Sequence, residues 1–192
     1  MSAGRHPATR ASSAKDSLSG LDKHRAGLTA KVRARIPEPT LAVIDSTART
    51  GWIPVEHDSW IPRATLAELG TDEAIRYWRN FLPIHVQSPL LNAVVGGAVR
   101  LFGPSPASIL RMTPRAWKLV FRDHCRLEIS SEANTAHIVM HDVAPEVITG
   151  TGYEISFRAF FLGMLDVVKV DGDVEMEVDL KAARIEYTMH WS

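Results

Sequence analysis

His137 and His141, followed by Asp142, have the H-x3-H spacing of half a zinc site. On a helix the two rings would share a face and converge on one ion. Here the flanking residues alternate apolar and polar, which predicts a strand, and four strand residues span about 13 Å. That is too far for one metal held about 2 Å from each ligand, so the pair reads as surface histidines. Cys125 beside His124 is the pairing a thiol nucleophile needs. Strand neighbours point to opposite faces, so Cys125 reads instead as a small buried apolar residue. The carboxylates Asp123, Asp142, Glu146 and Glu154 fall in or beside turns, with no spacing that marks a general acid and base. Gly150-Thr151-Gly152 is a lone Gly-x-Gly without the third glycine or a preceding βαβ pattern; a turn leading into a helix explains it. Gly-x-Ser-x-Gly, the phosphate loop, His-Glu-x-x-His and CxxC are absent. The expectation is a chain that is not an enzyme and calls for no metal and no cofactor.

The aromatic residues are more informative. Tryptophans stand at positions 52, 60, 78, 117 and 191. Core packing accounts for them, and so does an apolar pocket lined by Trp78, Trp117, Phe160 and Phe161, with Arg100 or Arg158 as its polar group. Spacing alone leaves both open.

Those side chains must be held by elements that the hydrophobic periodicity lays out. Gly27 to Ala48 reads as helix, broken at Ile36-Pro37-Glu38-Pro39 and resumed from Thr40. Gly51 to Val55 is extended, with Pro54 preventing a regular ladder. Asp58 or Ser59 caps a helix that has Pro62 in its first turn and ends at Gly70. Thr71-Asp72-Glu73 starts the next, in which Ala74, Ile75, Trp78, Phe81 and Leu82 form one apolar face before Pro83 ends it. Pro89 to Phe102 repeats the helical period around Gly96-Gly97, a pair that fits close helix packing or room for a ligand. A short apolar turn at Ile109, Leu110 and Met112 leads to Pro114, and Arg115 to Arg122 fits helix or strand.

The last third has a clearer period. Cys125-Leu127-Ile129, Ala136-Ile138-Met140, Val174-Met176-Val178-Leu180 and Ile185-Tyr187-Met189-Trp191 alternate with polar residues. Four such runs predict an antiparallel sheet covered on one side. Between the second and third lies Tyr153 to Val168, apolar almost all round and therefore a helix buried on most faces. The predicted class is α+β, with N-terminal helices packed on a four-stranded antiparallel sheet of order β-β-α-β-β.

The chain has 192 residues, 45% of them apolar and 23% charged, with 22 basic and 22 acidic side chains. Such a composition excludes a disordered, collagen-like or disulfide-dense chain and gives no global field that would draw in nucleic acid. No specific nucleic-acid binding is expected. Residues 1–35 hold eight basic and two acidic residues, and residues 1–20 carry little apolar bulk. Residues 1–26 are accordingly expected to be a disordered basic tail, and 27–192 a single α+β domain. The charge-free run Asn80 to Val99 is broken by Pro83 and Pro89, so no membrane span is expected. The single cysteine fits a reducing, cytoplasmic setting.

Trp52-Ile53-Pro54, Leu69-Gly70, Pro89-Leu90-Leu91 with Gly97, Arg100-Leu-Phe-Gly-Pro-Ser-Pro106, Thr113-Pro-Arg-Ala-Trp117 and the closing Tyr187-x-x-x-Trp191 together resemble the myxobacterial paralogous family. That is a domain family of unknown function, and the resemblance covers roughly residues 30–192. It is similar in architecture to vinyl-reductase-type hydrocarbon-binding domains and haem-NO-binding domains, where helices over an antiparallel sheet enclose a small-molecule pocket. The resemblance implies a bacterial, non-enzymatic ligand-binding or regulatory module. The haem branch carries Tyr-x-Ser-x-Arg, and this chain has Tyr153-Glu-Ile-Ser156-Phe-Arg158, one residue longer between Tyr and Ser. The expected function is a sensory domain with a small apolar ligand between helices 71–82, 89–102 and 153–168 and the sheet, in a cavity of roughly a few hundred Å³. The alternative is a homodimeric interaction module without ligand, built on the 153–168 helix or the final strand.

Overall fold

The computed structural model describes residues 6–86 and 103–192, and their side chains except those of 82–86. The region expected to be a disordered tail is ordered from residue 6. Ala8–Arg10 forms β1, Ala11–Ser19 forms α1 and Leu21–His24 forms α2. Large side chains are scarce here, but Ala11, Ala14, Leu18 and Leu21 recur at helical spacing and are all buried. Small residues let the helix backbone come close to its neighbours, so burial is reached without bulk. Charged residues of this segment find partners elsewhere in the fold: Asp16 accepts from Arg49 at 2.6 Å, and Arg10 donates to the carbonyls of Leu119 and Thr50.

The helical part continues with α3 (Leu28–Ala34) and α4 (Glu38–Ser46), separated at Pro37 as the sequence predicts. The extended segment Trp52–Pro54 is β2. It pairs antiparallel with β1 at the edge of a three-stranded sheet of order β2-β1-β3, where Pro54 needs no partner on its open side. Then come α5 (Val55–Asp58), α6 (Trp60–Leu69) and α7 (Thr71–Val86). The last runs past Pro83 rather than ending there. The expected helix 89–102, with Gly96-Gly97 and Arg100, lies outside the described residues.

Pro106–Val120 is one helix, α8, with Pro114 inside it, and Phe121–Arg122 follows as β3 against β1. The break expected at Pro114 does not occur. Buried Pro106, Ile109, Leu110, Thr113 and Trp117 form a continuous stripe that holds both halves on one axis. The N-terminus is capped by Ser105, whose hydroxyl accepts from the Ser108 amide.

The C-terminal part matches the expected order. β4 (Arg126–Glu132) and β5 (Thr135–His141) precede a short α9 (Pro145–Ile148) and the long α10 (Tyr153–Val168). β6 (Gly172–Asp179) and β7 (Arg184–Trp191) complete a four-stranded antiparallel sheet of order β4-β5-β7-β6. Its inner face presents Ala136, Ile138, Met140, Val174, Ile185, Tyr187 and Met189 to α10. His137 and His141 lie on the outer face, where His141 Nε2 is 3.1 Å from Glu128. No group of three metal-ligating side chains occurs among the described residues. Cys125 is half-buried rather than buried. No helix among the described residues is long and apolar enough to cross a membrane.

Two features fix α10. Arg79 on α7 donates both Nε and Nη2 to the Asp166 carboxylate at 2.7 Å, a fork-to-fork pair that sets the two helices side by side. At the other end Gly152 has φ +83°, and a Cβ there would stand 3.1 Å from the Pro62 carbonyl oxygen. Only glycine permits both that backbone conformation and that approach to α6.

Candidate functional site

A cavity of about 120 Å³ lies on the face of α10 that looks away from the four-stranded sheet. That sheet contributes none of its lining among the described residues, contrary to the expected position between helices and sheet. The volume is also below the expected few hundred Å³. α10 supplies Tyr153, Ser156, Phe157, Phe160, Met164 and Val167, one stripe of a helix at the three- and four-residue steps. Facing it, α8 supplies Ile109, Met112, Thr113, Ala116, Trp117 and Val120, and α7 supplies Trp78 and Phe81. Ser13, Ala14 and Ser17 of α1, Ile61 and Pro62 of α6, Phe121 of β3, Thr9 of β1 and Asp58 close the remaining sides.

Part of the cavity wall is a ring cluster. Trp117 lies 4.9 Å from Phe157 and 4.3 Å from Phe121 between ring centroids, and Trp78 meets Phe81 edge to face at 5.7 Å. These geometries suit aromatic quadrupoles and give the cavity walls a fixed shape.

Directly against these rings, with Tyr153 stacked on Phe157 at 5.4 Å and His124 4.9 Å from Phe121, lies a buried polar group. Asp58, last residue of α5, is 4% exposed and accepts a hydrogen bond from the Tyr153 hydroxyl at its Oδ2. Thr9 Oγ1 also bonds the Asp58 carboxyl, and stands 3.4 Å from the Tyr153 hydroxyl and 3.2 Å from His124 Nε2. Burial pushes the Asp58 carboxyl above its usual range, against the hydrogen bonds from Tyr153 and Thr9 that favour its charged form. Burial likewise lifts the Tyr153 hydroxyl, with the neighbouring Asp58 charge adding to it. His124, 1% exposed, is pushed down to about 3 by burial, although a backbone contact with Ala8 opposes this; it is neutral at pH 7. Its Nδ1 is buried without a hydrogen-bond partner among the described residues. Four segments far apart in sequence meet here: β1, α5, the turn between β3 and β4, and the start of α10.

The residues singled out from sequence fall into three groups. Trp78, Trp117 and Phe160 line the cavity. Phe161 and Arg158 do not: Phe161 packs against Tyr187 with centroids 5.1 Å apart, and Arg158 donates to the Val174 carbonyl of β6 at 2.6 Å. Both sit on the sheet side because a one-residue step on a helix turns the side chain by about 100°. Arg100 lies outside the described residues.

Asp58, Tyr153, Thr9 and His124 were not singled out as a group. Asp58 reads from sequence as a helix cap, and Thr9 falls in the segment expected to be disordered. The spacing of Ala11, Ala14, Leu18 and Leu21 was the available signal that this segment packs.

No protein-family model matches the chain. No curated protein matches it either. Solved structures do. The Fe(II) unliganded H-NOX protein from K. algicida superposes with a TM-score of 0.63 at 9% identity, covering 95% of this chain and 96% of that one. An oxygen-binding H-NOX domain related to soluble guanylate cyclases gives 0.59 at 13% identity, covering 95% of each. A variant of the T. tengcongensis H-NOX domain gives 0.59 at 11% identity, covering 95% of this chain and 97% of that one. At such identities the likeness is one of fold, and nearly the whole chain, the N-terminal segment included, has the H-NOX fold.

Proposed function

We propose that this chain is a non-enzymatic sensory or regulatory domain that binds a small apolar molecule between α1, α7, α8 and α10. The observation that carries the reading is the ring-lined cavity. Ordinary cores leave few voids larger than a water molecule. An apolar cavity of comparable size stays dry and takes up a benzene-sized guest. The ordered N-terminal segment belongs to the same unit, since β1 and α1 form part of the cavity wall.

The related solved structures are described as H-NOX proteins, one of them oxygen-binding and another Fe(II) unliganded. A haem iron is held by His, Cys, Met or Tyr. Among the described residues that line the cavity there is no His or Cys, Met112 and Met164 have no histidine beside them to complete a Met/His pair, and the Tyr153 hydroxyl is engaged by Asp58. Ser156 donates to the Tyr153 carbonyl and Arg158 reaches Val174 and Asp173 of β6, so Tyr153, Ser156 and Arg158 do not converge. The cavity is also far smaller than a tetrapyrrole. These residues do not fit a haem.

The alternative reading is a homodimeric interaction module without ligand. α10 is buried between sheet and helices, and β7 is paired on both sides. The open strand β6 does expose Val178 (39%), and the turn after it Leu180 (64%), but Asp173, Glu175, Glu177 and Asp179 along the strand would repel a second copy.

Calorimetric titration with toluene tests the reading. Saturable binding that is abolished when Ala116→Trp fills the cavity is the expected result. No binding of toluene, or a Soret band after incubation with hemin, overturns it.

A further inference from the structure

We propose that the cavity selects a small hydrophobic amine, with its apolar body among Trp117, Phe157 and Phe160 and its ammonium group at the Asp58 carboxylate. This rests on the reading of the cavity as a ligand site and names the chemistry of that ligand.

The first observation is the imbalance at the polar group. The groups acting on Asp58 are hydroxyls and the desolvation of burial, with no cation among them in the described residues. Tyr153 and Thr9 each offer one proton, while a carboxylate has about four acceptor sites. His124 is neutral and supplies no counter-charge. A buried carboxylate without a cation is costly, and natural interiors pair such groups or keep them for a ligand.

The second observation is position. Asp58 lies in the cavity wall, not behind it, and is 4% exposed. Thr9, Ser13, Ser17, Thr113, Tyr153 and Ser156 also line the cavity, and all are neutral hydroxyl residues. An incoming amine therefore meets one carboxyl group, which burial holds toward its neutral form until a cation arrives, and no positive charge among the described residues.

The third is size. A cavity of about 120 Å³ takes a guest of roughly six to eight non-hydrogen atoms, on the scale where a cavity of similar volume admits benzene. A single ring or short alkyl chain with one terminal amine meets that limit, and the ring faces nearby also favour a cation.

Titration of the full chain with benzylamine, toluene and benzoate separates this inference from the broader reading. Benzylamine is expected to bind at least about tenfold more tightly than toluene, because a charge-assisted hydrogen bond is added. Asp58→Asn should remove that tenfold preference while leaving toluene affinity within about twofold and the circular dichroism spectrum unchanged. Toluene binding as well as benzylamine overturns the amine proposal and leaves the apolar site standing. Benzoate binding more tightly than benzylamine also overturns it, by placing a cation at the polar group. If neither toluene nor benzylamine binds, both readings fall. Should Asp58→Asn fail to fold, wild-type discrimination among the three probes alone decides the matter.

Discussion

The two faces of α10 are both buried, yet they are built for different ends. Toward the four-stranded sheet, Phe161 and Leu165 meet Tyr187, Val174 and Ile138 in a solid layer. That side is closed by backbone contacts, such as the Tyr187 hydroxyl donating to the Glu154 carbonyl at 3.0 Å. Toward the helices, Phe157, Phe160 and Met164 border a cavity whose wall carries a buried acid and a phenol, with the neutral imidazole of His124 behind them on Thr9. One face spends its apolar area on stability; the other leaves space and desolvated polar groups, which cost stability and serve recognition. Apolarity all round a helix therefore says that every face is buried, and nothing about which face is functional.

The comparison can be broken or sharpened by measurement. The largest expected effect concerns pH. His124 has a folded pKa of about 3 against an ordinary 6.5, so the unfolded chain binds a proton that the folded chain refuses between those values. Its contribution is fully present above pH 6.5 and is lost as pH falls toward 3, as much as about 5 kcal/mol in all. Asp58 acts with the opposite sign: its raised pKa makes stability fall as pH rises from the ordinary carboxylate range through the folded value. Urea unfolding of His124→Gln across this range should show a flatter acid limb than wild type. An unchanged limb would move the acid sensitivity away from the cavity side.

Next in size is Phe161→Ala, expected to cost about 4 kcal/mol because the sheet side has no slack to absorb the void. Its neighbour Phe160→Ala, half-buried against the cavity, should cost about 1 kcal/mol. Equal costs in chemical denaturation would erase the distinction between the two faces. Between these lies Gly152→Ala, expected to cost about 2 kcal/mol through its φ of +83° and the Pro62 carbonyl 3.1 Å from the new Cβ. Since Tyr153 follows directly, that variant should also weaken toluene binding; intact affinity would show that the start of α10 need not be held so closely.

Much of this architecture was legible beforehand. The four period-two runs became β4 to β7, and Tyr153 to Val168 is a helix with the expected ends. Strand alternation and all-round apolarity are local properties that tertiary contacts had no reason to override. Pro114 misled because a proline's local cost, a lost hydrogen bond and a steric clash, is outweighed by an apolar stripe continuing on both sides of it. The N-terminal segment misled because bulk was taken as the measure of what can be buried, whereas Ala11 and Ala14 are buried by close approach.

The candidate site was legible only in part. Trp78, Trp117 and Phe160 were recognisable as pocket material by type, while Phe161 and Arg158 were carried along as sequence neighbours that the helix turns the other way. Periodicity by itself determined the element types of the C-terminal third, their order, the inward row of each strand and the burial of α10, because each follows from spacing within one segment. Which face of α10 borders a cavity, and that Thr9, Asp58, His124 and Tyr153 meet beside it, was decided by the tertiary structure alone. Residues 9, 58, 124 and 153 share no local pattern; what joins them is the packing of β1, α5 and the turn between β3 and β4 against the start of α10, a contact between segments as much as 144 positions apart.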